Sequence, residues 1–177
     1  MFFEVIILAI IIGYLLKGRL KNIDIMNIKA VYLVLIGFLI KFAIVMSVQH
    51  ALIARGIIAY ILYLIQYSLL LIFVIINRKN KYILIMGIGF LLNAVPIFAN
   101  GGAMPVSTSA AQSIGLTKEV WTEGLYRAID GTTKLNFLGD IIPYKLVRAY
   151  VISIGDIILA IGLFLFIVIG MKKKEVN

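Results

Sequence analysis

The sequence has no cysteine and only one histidine, His50, in 177 residues. Disulfides, thiol nucleophiles, iron–sulfur clusters and thiolate zinc are therefore excluded, and most imidazole metal sites with them. Neither a metal nor any other cofactor is expected. Acidic residues are scarce, eight against seventeen Lys and Arg, and charged residues make up only 14% of the chain. Soluble domains carry nearer to about 25%. The chain also lacks a Gly-x-Gly-x-x-Gly fingerprint, a Walker loop, a His-Glu-x-x-His pair, a Gly-x-Ser-x-Gly elbow and any internal repeat at a fixed period.

Apolar surface is what the chain has in excess. Hydrophobic residues make up 63% and the mean hydropathy is +1.09. A soluble globular domain and a disordered chain are both excluded. The net charge of +9 sits at the ends of apolar runs, where membrane topology explains it better than nucleic acid does. The expected partners are membrane lipids, with no nucleic acid. The length admits one integral membrane domain, 1–177.

A spanning helix needs roughly 20 mostly apolar residues, because the hydrocarbon layer is about 30 Å thick. Five stretches predict spans: Phe2–Leu16, Ala30–Val48, Gly56–Ile76, Tyr82–Ala99 and Val147–Gly170. The first carries Glu4 near its start and reads as a retained helix, since it has no basic start and no small-x-small cleavage site. Lys17, Arg19, Lys21 and Lys29 lie between spans one and two, Arg78, Lys79 and Lys81 between three and four, and Lys172, Lys173 and Lys174 after span five. Alternating spans put all of them on one side, so the N-terminus is expected outside and the C-terminus in the cytoplasm of a cell membrane. The fold class expected is an all-α, five-helix membrane bundle with an extracytoplasmic loop, 100–146. Thr117 would cap a short interfacial helix from Lys118 to about Ile129 in that loop, with Trp121, Leu125, Tyr126 and Ile129 on one face. That helix would either cap the bundle or act as a lid over a membrane-edge site.

Polar groups in hydrocarbon need partners. Lys41, in span two, would either snorkel to the interface or pair with a carboxylate near the outer face. Asn93 stands three residues before Pro96 and would satisfy a kink or face a site. Gln66, Tyr63 and Tyr67 read as interhelical hydrogen-bonding groups, and His50 as a loop residue without a role. Asn100-Gly101-Gly102 opens the loop. Adjacent glycines permit positive φ, so this turn would either redirect the chain or present backbone N–H groups to a carbonyl.

The most informative residues are Asp140 and Asp156, each within Gly-Asp-Ile-Ile. Asp156 falls inside the fifth apolar run, where a carboxylate must be protonated, paired or hydrated, unless span five starts there and the aspartate caps it. Asp140 would otherwise be a turn residue before Pro143. Two carboxyls about 3–6 Å apart cannot both ionise, so such a pair holds one proton, one member serving as base and the other as acid. The same pair would also suit cation binding or a proton relay. Each preceding glycine would let the backbone turn its carboxylate inward.

Three motifs, Asn100-Gly-Gly-Ala-Met-Pro-Val, Leu138-Gly-Asp140-Ile-Ile-Pro143 and Ser153-Ile-Gly-Asp156, resemble those of an uncharacterised family of small bacterial multi-pass membrane proteins. Ser153-Ile-Gly155-Asp156-Ile-Ile-Leu159-Ala-Ile-Gly162 and Asp140-Ile141-Ile142 are also distantly similar to the two catalytic motifs of lipoprotein signal peptidase (signal peptidase II), an intramembrane aspartyl enzyme. The arginine-bearing motif that precedes the first catalytic aspartate of that enzyme has no counterpart here. The resemblance implies Asp140 and Asp156 as catalytic residues. Asn100, Gly101, Gly102, Asn93, Ser153 and Lys41 would position a membrane peptide or lipid-linked substrate. The alternative is a non-catalytic binding, transport-accessory or scaffold protein in which the same aspartates are helix caps.

Overall fold

The computed structural model describes residues 1–23, 28–50, 57–116 and 125–172. The protein is mostly helical. Five apolar helices form the body: α1 (Phe2–Leu15), α2 (Val31–Gln49), α3 (Ile57–Ile76), α4 (Lys81–Ala99) and α6 (Ile154–Lys172), with the short α5 (Thr108–Ser113) between the last two. By length and composition α3, α4 and α6 are the helices able to cross a membrane, and α1 and the apolar part of α2 are shorter. At about 1.5 Å per residue, the 14 residues of α1 fall well short of a 30 Å hydrocarbon layer.

The expectation of an all-α chain needs correction. The segment between α4 and α6 forms two small sheets. β1 (Met104–Val106) pairs in parallel with β2 (Tyr126–Ala128), and β3 (Ile142–Lys145) pairs antiparallel with β4 (Ala149–Ile152). The expected interfacial helix is thus a strand at Tyr126–Ala128, and its first part, 117–124 with Trp121, lies outside the described residues. Span five also begins later than expected. Residues 149–152 are the return strand of a hairpin, and the helix starts only after Ser153. Apolar composition alone does not distinguish a buried hairpin strand from the first turns of a helix.

The main helix contacts run in the order α1–α6–α4–α3–α2, with α4 against α6 the most extensive. The α4–α6 approach is close because glycine faces it. A Cβ on Gly89 would stand 2.6 Å from the Gly155 carbonyl oxygen. Outward faces of the row remain apolar, with Leu39, Phe42, Ile57 and Ile75 all exposed. Helices apolar on every side belong in a lipid surround or in a core.

Two polar ties fix the sheets to the helix ends. Asn100, at the end of α4, donates from Nδ2 to the carbonyls of Pro96 and Lys134, both at 2.8 Å, and accepts from Lys134 N at 2.8 Å. Glu4, at the start of α1, forms an ion pair with the Met1 ammonium at 3.0 Å and accepts from Tyr144 Oη at 3.0 Å and Val147 N at 3.1 Å. The start of α1, the end of α4 and both sheets therefore share one end of the molecule. The basic connections Lys17–Lys21 and Arg78–Lys81 lie at the other ends of these helices.

Candidate functional site: two aspartates in one cavity

Sequence and local pairing place Asp140 more firmly than a loop would. It runs parallel to β1 through an isolated bridge with Val106. Its N–H donates to Pro105 O at 2.8 Å, and its carbonyl accepts from Ser107 N at 2.8 Å. Both backbone groups are thus held by one strand, and the side chain is 7% exposed. Gly139 allows this approach, because a Cβ there would come 2.5 Å from the Pro105 carbonyl oxygen.

Asp156 occupies the first turn of α6. Ser153 precedes that helix, and its Oγ accepts from Asp156 N at 3.0 Å. Asp156 Oδ2 in turn accepts from Ser153 N at 3.3 Å. This is a reciprocal capping box, with the carboxylate three residues after the cap. The other oxygen, Oδ1, accepts from Asn93 Nδ2 of α4 at 2.9 Å, and Asn93 Oδ1 accepts from Ser153 Oγ at 2.6 Å. Ser153 is fully buried. Asn93 thus serves α6 rather than a proline kink in its own helix. Gly155 is required at this junction, since a Cβ there would overlap the Asn93 side-chain carbonyl.

The glycine before each aspartate therefore has a different reason from the expected one. Neither Gly139 nor Gly155 has positive φ. Each is glycine because another group fills the Cβ position. Positive φ occurs instead at Gly101 (69°) and Gly102 (93°), as the turn reading expects, and also at Gly115 (81°).

Asp140 and Asp156 line the same cavity, about 430 Å³ in volume, together with Lys41, Asn93 and four tyrosines, Tyr63, Tyr67, Tyr126 and Tyr150. Burial, and next the charge of Asp156, push the Asp140 carboxyl well above the ordinary carboxylate range, while Lys41 pulls it back down. Burial, and next the charge of Asp140, likewise push the Tyr126 phenol up, although the residue as a whole is 41% exposed. Asp140 is thus set to keep its proton, and Asp156 has both oxygens held by donors. A carboxyl that keeps its proton, in a cavity shared with a second carboxyl, offers the acid and base groups that proton transfer to and from a bound molecule requires.

The cavity brings together Asp140, Asp156, Asn93 and Lys41 among the residues singled out from sequence, with Ser153 directly behind them. Asn100, Gly101 and Gly102 are not among its lining residues. The Asn100 amide is committed to backbone partners, and the two glycines make the turn beside it. The tyrosines were underweighted by sequence. Tyr63 and Tyr67 stand four apart on one face of α3 and are both buried, a spacing that signals one shared surface. Tyr126 and Tyr150 come from strands that the helical reading did not anticipate. Met1, Phe2 and Phe3 at the start of α1 and Lys41 and Val45 of α2 also line the cavity, although these two helices stand at opposite ends of the contact order.

Comparison with known proteins matches residues 25–168 to the model of a family of unknown function, DUF5317. An uncharacterised protein of Thermotoga maritima is 29% identical over 175 residues, covering 96% of this chain and 91% of the relative. No solved structure matches significantly.

Proposed function

The chain belongs to DUF5317, a family without an assigned activity, and from the cavity we propose that it is a membrane-embedded aspartyl hydrolase. The observation that carries this reading is the shared cavity, which Asp140 and Asp156 both line and in which burial raises the Asp140 carboxyl. In this reading the protein crosses the cell membrane five times, with α2 beside the three longer helices and the short α1 completing its crossing through local thinning of the bilayer. The sheets and the N-terminus face outside, and the C-terminus is cytoplasmic. The basic connections at the opposite end support that orientation.

Hydrolysis would run through the two carboxyls. Ionised Asp156 takes a proton from a water held between them, and the oxygen attacks the substrate carbonyl carbon. Asp140 gives its proton to the carbonyl oxygen. The tetrahedral adduct then collapses: one hydroxyl returns its proton to Asp140 as the carbonyl re-forms, the bond to the leaving group breaks, and that group takes the proton held by Asp156. Asn93 and Ser153 are positioning residues, because they orient Asp156 through hydrogen bonds. Lys41 tunes Asp140 by charge. Tyr63 and Tyr67 form the buried part of the tyrosine wall. The substrate is a membrane peptide or lipid-linked molecule, and the apolar residues that α1 and α2 contribute to the cavity lining suit its entry from the bilayer.

A second reading has its own support. The capping box gives Asp156 a structural task that requires no chemistry, as in a binding or scaffold protein. A hydroxyl-bearing mimic of the tetrahedral adduct separates the two. A peptide with a statine-type centre, incubated with the bilayer-reconstituted chain, should bind and lose affinity at least about tenfold in both Asp140→Asn and Asp156→Asn, because such mimics bind far tighter than substrates. Equal binding by wild type and both variants, or none by wild type across a panel of apolar flanking sequences, would leave the scaffold reading.

A further inference from the structure

A second cavity lies at the basic end, away from the aspartates. Its volume is about 510 Å³, within the size range of small-molecule sites. Three cations line it, Lys29 from the connection before α2 and Arg78 and Lys79 from the turn between α3 and α4, with Ile28, Ile75 and Ile76 as its apolar wall. Among the described residues no carboxylate lines it.

The two segments that carry the cations are joined by a buried side chain. Asn77 is 7% exposed. Its Oδ1 accepts from Lys29 N at 2.9 Å, and its Nδ2 donates to Lys29 O at 2.8 Å and to Phe73 O at 2.9 Å. One asparagine thus fastens the α2 connection to the α3–α4 turn, so that charges from two segments face one space. The other asparagine here, Asn80, spends its Oδ1 on the N–H groups of Tyr82 and Ile83. Both asparagine side-chain oxygens are therefore already engaged, and among the described residues the charged side chains that line the cavity are all cationic.

We propose that this cavity binds the phosphate head of an anionic membrane lipid, with the acyl chains lying along α3. Charge selects the phosphate, and Arg78 suits its planar fork to two phosphate oxygens. The isoleucine wall selects a lipid over a soluble anion. Ile75 is 62% and Ile76 44% exposed, so the wall runs on to the outward surface of α3. Basic pockets between helix ends on the cytoplasmic side are suited to anionic headgroups. The site needs the protein to lie in a bilayer but does not need the aspartates to be catalytic.

The test uses the purified full chain in neutral detergent. Phosphatidylglycerol, phosphatidylcholine and inorganic phosphate are titrated separately, and retained lipid is read by native mass spectrometry alongside thermal unfolding. Phosphatidylglycerol should bind and raise the unfolding temperature, whereas phosphatidylcholine and inorganic phosphate should do neither. Arg78→Gln with Lys79→Gln should weaken phosphatidylglycerol about 30-fold, since each such cation contributes about 1 kcal/mol and 1.4 kcal/mol is tenfold. Lys29→Gln alone, which keeps the turn intact, should weaken it about fivefold by the same conversion. Lys17→Gln with Lys21→Gln removes two charges from the same end but not from the cavity, and should leave binding within about twofold. Equal loss in that control, unchanged binding in the cavity variants, or inorganic phosphate competing as well as the lipid would overturn the proposal.

Discussion

Asn93 Nδ2 donates to Asp156 Oδ1 at 2.9 Å, joining the middle of one apolar helix to the first turn of another. The same amide accepts from Ser153 Oγ through its own oxygen. One side chain therefore satisfies both members of the α6 capping box. Asn93→Leu should lower stability by about 1–3 kcal/mol, because it leaves a buried hydroxyl and a carboxylate short of partners. Gln66→Leu is the contrasting change. Gln66 is 4% exposed and its Oε1 has no partner among the described residues, so leucine there should be neutral or stabilising. Thermal unfolding in detergent checks both. A larger loss at Gln66 than at Asn93 would contradict the network.

Glycine substitutions separate crowding from turn geometry. Gly155→Ala and Gly139→Ala should each destabilise the protein, because a Cβ meets occupied space. Gly101→Val and Gly102→Val should also destabilise, at roughly 1–2 kcal/mol for a left-handed backbone. Gly131 has open space and no positive φ, so Gly131→Ala should behave like wild type. Gly115 is no control, because its φ is positive too. Expression level and unfolding temperature across the set give the answer, and tolerance of alanine at 155 would remove the close-packing account of the Gly-Asp motif.

The raised Asp140 has a consequence for stability against pH. The folded chain keeps this proton where the unfolded chain has released it. The folded state therefore binds more protons above the ordinary aspartate value of 3.8, and stability falls as pH rises from there toward the folded value. Asp140→Asn cannot ionise and should flatten that fall. Unfolding temperature measured from about pH 4 upward should slope down in wild type and less in the variant. Parallel slopes would mean that Asp140 is ionised when folded.

Much of this organisation was legible in the sequence. Apolar run length located α3 and α4 to within a residue or two, because a helix apolar along its whole length ends where the polar residues begin. Asp140, Asp156, Asn93 and Lys41 were legible as polar groups in apolar surroundings. The start of α6 was missed, although Ser153-x-x-Asp156 carries the capping-box spacing, because Ala149–Ile152 is as apolar as the helix it precedes. The sheets were missed for a similar reason. Strands of three or four residues are too short to establish a period, and β1 pairs with β2 across nineteen intervening residues. Asn100 reads from sequence as a substrate-positioning residue, because of the motif resemblance and the glycine turn that follows it. Its partner is the backbone of Lys134, which no local pattern indicates.

Lys41 gives a directional test of the cavity. Its charge favours the ionised form of Asp140. Lys41→Met should therefore let Asp140 hold its proton to still higher pH, without large loss of fold. If protonation of Asp140 moves to lower pH instead, or does not move, Lys41 points away from the pair.

The most direct measurement is the protonation state of Asp140 at neutral pH. Infrared difference spectra of the bilayer-reconstituted chain should show a protonated carboxyl stretch that disappears in Asp140→Asn and persists in Asp156→Asn. Titration to high pH should remove it in wild type. Such a band, assigned to Asp140 and sensitive to the charge at position 156, is what one proton held by two aspartates predicts. Absence of any protonated carboxyl at neutral pH, with both side chains ionised, would contradict it.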